Sequence, residues 1–186
     1  THDKNFEATQ YAIQVAKDNG CLISFDPNLR LSLWKTPEEA RKRIMYGMKQ
    51  CDIMKISEEE VAFVSEQKSL EEGVSFIRDH SDIKILFVTL GNKGSIAYYK
   101  DEKIYCRGIH QEHVIDTTGA GDTFCGAVLN RILELGTDAL AEEDIREMLL
   151  FANAAASIVV TRKGALCSMP ELEEIRAATS LIDKVL

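Results

Sequence analysis

Residues 116–129 read DTTGAGDTFCGAVL and hold the most chemically suggestive spacing in the chain. Gly119 and Gly121 open a stretch with helical periodicity. Glycines there let the backbone approach a ligand, and the N–H groups of a first helical turn point at whatever sits in front of them. A phosphate suits such a turn. Asp122, however, places a carboxylate inside it, which a simple anion cradle does not need. Phosphoryl transfer gives the carboxylate a purpose. An attacking hydroxyl must lose its proton as it bonds to phosphorus, and an Asp within reach can accept it. The backbone of Gly119, Ala120 and Gly121 would then stabilise charge on the phosphoryl oxygens, and the positive helix end favours a carboxylate nearby. The plain alternative is a tight glycine turn followed by an acidic first-turn residue. The stretch is not a Walker A loop, since no GxxxxGK[ST] is present. Nor is it a Rossmann GxGxxG, because Phe124 stands where the third glycine belongs.

Composition narrows the chemistry. The chain has 186 residues and a formal net charge of −8, with 45% hydrophobic and 28% charged residues. This is the balance of one ordinary globular domain or a large part of one. No basic stripe is available for a nucleic-acid backbone, and no apolar run approaches a membrane span. Cys21, Cys51, Cys106, Cys125 and Cys167 are scattered, odd in number and without CxxC spacing, which predicts a reduced, cytoplasmic setting. The first residue is Thr1; a processed N-terminal nucleophile is one reading, and a piece of a longer chain is the expectation preferred here.

The elements that must position these residues follow from periodicity. A helix is predicted over 5–18, with Phe6, Ile13 and Ala16 on one face and Asn19-Gly20 as its stop. CLISF (21–25) reads as a buried parallel strand. Thr36, Pro37 and Glu39 mark the next helix start. DIMKI (52–56) is a second strand, followed by helices near 58–65 and 69–79, the latter opened by Ser69 and Glu72. KILFVTL (84–90) is the clearest strand; SIAYYK and KIYCR around Asp101-Glu102 read as an antiparallel hairpin. Three helices close the chain: one from Gly121 to Gly136, one over about 142–160, and one after Pro170 with Ser168 and Glu171 as its expected cap. Alternating helices and apolar strands predict an α/β fold with a mainly parallel sheet. Ligands in such sheets sit at the carboxyl ends of the strands. Asp26, Asn28 and Arg30 follow the first strand, Ser57 and Glu60 the second, and Gly91 to Gly94 the third.

The longer string DTTGAGDTFCGAVL resembles the C-terminal signature of the PfkB/ribokinase family of carbohydrate kinases. SFDPNLRLSLW (24–34) is similar to the fructokinase-type segment of that family, VTLGNKGS (88–95) to its nucleotide-side strand and turn, and FANAAASIVVTRKGALCSMP (151–170) to the helix and loop bordering its adenine pocket. The resemblance runs over nearly the whole chain and matches the later part of such a kinase, without the sheet-and-lid portion that precedes it in family members. It implies a ribokinase-like fold for residues 1–186 and an ATP-dependent, Mg²⁺-requiring transfer of the γ-phosphate to a small sugar, fructose first. Asp122 would be the base and would touch the sugar; Gly119, Ala120 and Gly121 would form the anion hole. Thr89, Gly91 and Gly94 would lie along the ATP, with Asn153, Gly164 and Ala165 near the adenine. Arg30 would sit near substrate, against the alternative of a solvated loop arginine. Asp116 and Thr118 match positions that bind a monovalent cation such as K⁺ in some members, although both are also ordinary turn formers. The family's lid implies a homodimer for the full-length protein.

One position departs from the family pattern. Its Asn-x-x-Glu, whose Glu helps organise Mg²⁺ through water, reads Ser57-Glu58-Glu59-Glu60 here. Ser57 and Glu60 also form a capping box, which explains both residues structurally; Glu60 stays a metal-side candidate and Ser57 is expected to be mainly a cap. Asp26 and Asn28 are expected to shape the turn around Pro27, and Trp34 to pack the following loop. His110 and His113 lack further ligands for zinc, and Cys125 and Cys167 read as small buried hydrophobes. Two other functions compete: a nucleotide-binding fragment without catalysis of its own, and an NAD-dependent half-domain, disfavoured by Phe124 and by the late position of the glycine turn. A kinase for another small sugar, sugar acid or nucleoside is a further alternative.

Overall fold

The computed structural model describes residues 3–182; Thr1, and with it the nucleophile reading, lies outside them. The chain divides into two compact units, Thr1–Phe87 and Val88–Leu186. Five strands form one sheet in the order β1-β2-β3-β4-β5, as expected for a mixed α/β fold.

The first unit begins with α1 (Asp3–Asp18). Phe6, Ile13 and Ala16 are its half-buried residues among exposed neighbours, as their spacing predicts. The Phe6 ring meets the Tyr46 ring edge-on at 4.9 Å, and the Arg43 guanidinium lies 3.7 Å over it. The predicted strand at 21–25 shrinks to β1 (Ser24–Phe25), and Cys21, Leu22 and Ser24 are exposed. The reason is position: β1 has one strand neighbour, β2 (Ile53–Ser57), with Ser24 opposite Ile53 and Phe25 opposite Met54 in parallel register. An edge strand needs no apolar cover on both faces, unlike the buried interior of a parallel sheet. β2 is that interior type, with Ile53, Met54 and Ile56 all buried.

Three helix starts in this unit are closed by hydroxyl side chains. Thr36 accepts the Glu39 N–H at the head of α2 (Pro37–Met48), whose first residue is the expected proline. Ser57 accepts the Glu60 N–H at the head of α3 (Glu58–Ser65), and Ser69 that of Glu72 at the head of α4 (Leu70–Asp79). Each such cap satisfies a donor that the helix itself cannot.

β3 (Ile85–Thr89) ends the first unit and begins the second. In the second, β4 (Gly94–Tyr99) and β5 (Glu102–Arg107) pair antiparallel from Gly94 opposite Arg107 to Tyr99 opposite Glu102. Gly94 sits at φ +114°, and a Cβ there would meet the Cys106 carbonyl oxygen at 2.1 Å and the Gly108 nitrogen at 2.4 Å. A Cβ on Gly108 would meet the Asn92 carbonyl oxygen at 2.3 Å. The open end of the hairpin is therefore two backbones in direct contact.

The three closing helices are α5 (Ala120–Leu135), α6 (Glu142–Val159) and α7 (Leu172–Ile182). α6 packs on α5, on α7 and on the β4–β5 hairpin. Its Met148, Leu149, Ala152 and Val159 are fully buried. Ser168 does not cap α7 as expected; its hydroxyl donates instead to the Gly164 and Ala165 carbonyls, while Glu171 donates its N–H to Glu174. Among the described residues no helix is long and apolar enough to cross a membrane.

Candidate functional site

In the second unit the residues singled out by the glycine turn converge. Gly119, at φ +84°, is the N-cap of α5, a conformation that an L side chain adopts only at a cost, and no side chain caps the helix. Asp122 lies in the first turn and is exposed. Within the turn the Ala120 N–H donates to the Thr117 carbonyl at 3.3 Å, and the Asp122 carboxylate stands in the first turn of a helix that no side chain caps.

Two contacts bind this turn to the 164–165 loop. Asp116 Oδ1 accepts the Thr118 N–H at 2.9 Å and Oδ2 accepts the Gly164 N–H at 3.3 Å. A Cβ placed on Gly119 would lie 3.5 Å from the Ala165 Cα, so the two segments are in van der Waals reach. Thr118, followed by the Gly164 N–H, holds the Asp116 carboxyl below the ordinary carboxylate range. The predicted anion hole and the predicted adenine loop are therefore neighbours, which their separation in sequence does not reveal. Directly after Asp122, the Thr123 hydroxyl is buried with no hydrogen-bond partner.

Asn153, expected near the nucleotide, uses its whole side chain internally. Its Oδ1 accepts from the Ser95 hydroxyl at 3.0 Å, and its Nδ2 donates to the carbonyls of Cys106 at 3.2 Å and Arg107 at 3.4 Å. It fastens α6 to the hairpin. Thr89 is half-buried at the end of β3, Gly91 is exposed, and Gly94 is buried under the backbone contact described above.

In the first unit the loop after β1 carries Arg30, exposed, with Nη1 donating to the neighbouring Leu29 carbonyl at 3.0 Å. Asn28 stands in the left-handed region at φ 44°, as a turn-shaping residue should. Two features were not legible in the sequence. Lys55, in the middle of an apolar strand, is buried and pairs with Asp26 at 3.2 Å. Glu60 is only 9% exposed; beyond its capping-box bond to the Ser57 N–H at 2.9 Å, its Oε1 accepts the Leu29 N–H at 2.6 Å. Burial pushes the Asp26 carboxyl up, and Lys55 pulls it part of the way back. A lysine interrupting an apolar run was the one available signal, since a buried cation requires a partner.

Among the described residues, no three His, Cys, Asp or Glu side chains are grouped to hold a metal ion. None of the five cysteines is in a disulfide. Cys167 is exposed and Cys125 half-buried, so the small-hydrophobe reading fails for Cys167. Cys51 is the buried thiol, pushed up to about 12 by desolvation.

A model of the pfkB family carbohydrate kinases matches residues 4–172. The chain is 43% identical over 159 residues to the Arabidopsis thaliana protein named "Probable fructokinase-2", covering 86% of this chain and 48% of that one. The crystal structure of a Vibrio cholerae fructokinase double mutant in fructose, ADP and potassium ion bound form superposes with a TM-score of 0.85 at 34% identity, over 93% of this chain and 55% of that one. A Xylella fastidiosa fructokinase with bound ATP gives a TM-score of 0.85 at 26% identity, over 95% of this chain and 57% of that one. The chain spans about half the length of these relatives. With the glycine turn, the ribokinase-like sheet and the family match in agreement, the chain belongs to the pfkB family of carbohydrate kinases.

Proposed function

We propose that the protein is an ATP-dependent sugar kinase with fructose as its preferred acceptor. The observation that carries this reading is the uncapped N-terminus of α5, with left-handed Gly119, an exposed Asp122 and the 164–165 loop alongside. Relatives named fructokinase, one of them solved with fructose and ADP, give the substrate class.

In this reading Asp122 takes the proton of the attacking hydroxyl as the new O–P bond forms and the bond to the departing ADP oxygen breaks. The N–H groups of Gly119, Ala120 and Gly121 receive the charge on the transferred phosphoryl group. Thr89, Gly91 and Gly94 border the nucleotide phosphates, and Gly164 and Ala165 the adenine. Asn153 contributes by fixing α6 to the hairpin, its amide being already occupied. Arg30 is the sugar-side cation.

Mg²⁺ supplies charge compensation on the β- and γ-phosphates. Glu60 is the metal-side carboxylate, acting through water with the lone pairs left after its two backbone bonds. A K⁺ role for Asp116 and Thr118 rests on the resemblance alone, since both Asp116 oxygens already accept backbone donors. Homodimerisation of the full-length protein rests on the resemblance too, and a cytoplasmic location on the five cysteines outside disulfides.

The test is ADP formation by the full-length protein with and without fructose, with other small sugars in parallel. Sugar-dependent ADP formation is expected, and its absence with every sugar refutes the reading. One observation favours a second function: the chain covers about half of its relatives. The 186-residue chain alone would then bind nucleotide without turning over. Calorimetry with ATP and then fructose separates the two, since a fragment of this kind responds to ATP only.

A further inference from the structure

An ordinary capping box uses one carboxylate oxygen. At the head of α4, Glu72 accepts the Ser69 N–H and is exposed. At the head of α3, Glu60 is buried, and its second oxygen reaches a residue 31 positions away, the Leu29 N–H at 2.6 Å. The loop that this bond holds is pinned at its other end as well. Asp26 accepts from Lys55 Nζ through both oxygens, at 3.2 and 3.4 Å, with 13% and 7% of the two side chains exposed. Between these anchors lie Pro27, whose ring fixes φ, and Asn28 in the left-handed region. Arg30 follows immediately and is the exposed charge of the segment.

We propose that Glu60 is a positioning residue: with the Asp26–Lys55 pair it clips the backbone of residues 26–30, so that Arg30 is presented to substrate from a fixed loop. Three largely buried charges, Asp26 after β1, Lys55 in β2 and Glu60 in α3, need a return for their desolvation, and a loop held at both ends is that return. The proposal rests on the sugar-kinase reading for what Arg30 meets, but the clip itself is a property of the fold. A glutamate serving the metal alone needs no bond to Leu29. A clip needs that bond and a backbone donor for each oxygen.

Two substitutions in the full-length protein separate these roles. Glu60→Gln keeps the shape but turns one acceptor into a donor facing a backbone N–H. Glu60→Asp keeps the charge but is one methylene too short to serve Ser57 and Leu29 together. Both are expected to speed amide hydrogen exchange over residues 26–30, measured without Mg²⁺, at least about tenfold and to raise the sugar KM by about tenfold. Glu60→Gln, which removes the metal-side carboxylate, should also raise the Mg²⁺ concentration giving half-maximal rate, whereas the Mg²⁺-free exchange reads the clip alone. Unchanged exchange at 26–30 in either folded variant, checked by circular dichroism, overturns the clip. Faster exchange with an unchanged sugar KM overturns its role in presenting Arg30. If the wild type makes no sugar-dependent ADP, the kinase reading falls, and exchange alone then decides the clip.

Discussion

The N-termini of α3 and α5 both carry acid in the first turn, and they use it oppositely. α3 is closed: Ser57 accepts one helix N–H, and Glu60 turns back to accept the Ser57 N–H while holding Leu29. α5 is open: left-handed Gly119 offers no side chain, and Asp122 is exposed. The helix dipole favours acid at both of these N-termini, so the electrostatics are shared. The difference is whether a side chain closes the helix start, as Ser57 does at α3, or none does, as at α5. The lesson is that the capping residue, and not the acidic one, tells a structural helix start from a chemical one.

The comparison can be broken from its open side first. Asp122→Asn should lower kcat by about 10³-fold, within the range for loss of a general base, while ATP affinity measured by calorimetry stays near wild type. Turnover that survives this change removes Asp122 from the chemistry.

On the closed side, Lys55→Met leaves Asp26 buried without its cation and should cost about 3 kcal/mol in chemical denaturation. Adding Asp26→Asn should return most of that loss. The pH dependence has a definite sign. Asp26 sits above its ordinary value of 3.8 in the fold, so its stabilising contribution is full below that value and is lost as pH rises through the folded pKa. The Lys55→Met variant should therefore recover stability relative to wild type as pH falls toward 4. A penalty that stays constant from neutral pH to 4 contradicts this assignment.

Smaller effects sharpen the contrast. Gly119→Ala has room, with Ala165 at 3.5 Å, but must carry a side chain at φ +84°. A cost of about 1–2 kcal/mol in stability is expected, together with a kcat loss that a purely structural glycine would not produce. Ser57→Ala should cost about 1 kcal/mol, seen as a lower Tm, with the sugar KM held by the remaining Leu29 bond. A KM change as large as that of Glu60→Gln would show that the cap and the clip are one device.

Most of the fold was legible because its signals are local. The starts of α2, α3 and α4 follow from Thr36, Ser57 and Ser69, and the β4–β5 hairpin from two apolar runs about Asp101-Glu102. β1 was overestimated because an apolar pentapeptide says nothing about which strand ends the sheet. In the candidate site the glycine turn and Asp122 were visible as a string. The Asp116–Gly164 and Glu60–Leu29 bonds were not, because they join segments 48 and 31 residues apart. Ser168 misled for a related reason: its spacing suits a cap, and its hydroxyl found closer carbonyls in the 164–165 loop.

The backbone contact between Gly94 and Gly108 bears on how this sequence can vary. Where a missing Cβ is covered by a side chain, as the Phe25 ring covers Gly47, a larger residue can be accommodated by a smaller partner elsewhere. At Gly94 and Gly108 the covering atoms are carbonyl oxygens and amide nitrogens, which no second substitution can shrink. Drift at this end of the hairpin has no compensating route, so both positions should be intolerant in a saturation library even in backgrounds stabilised elsewhere.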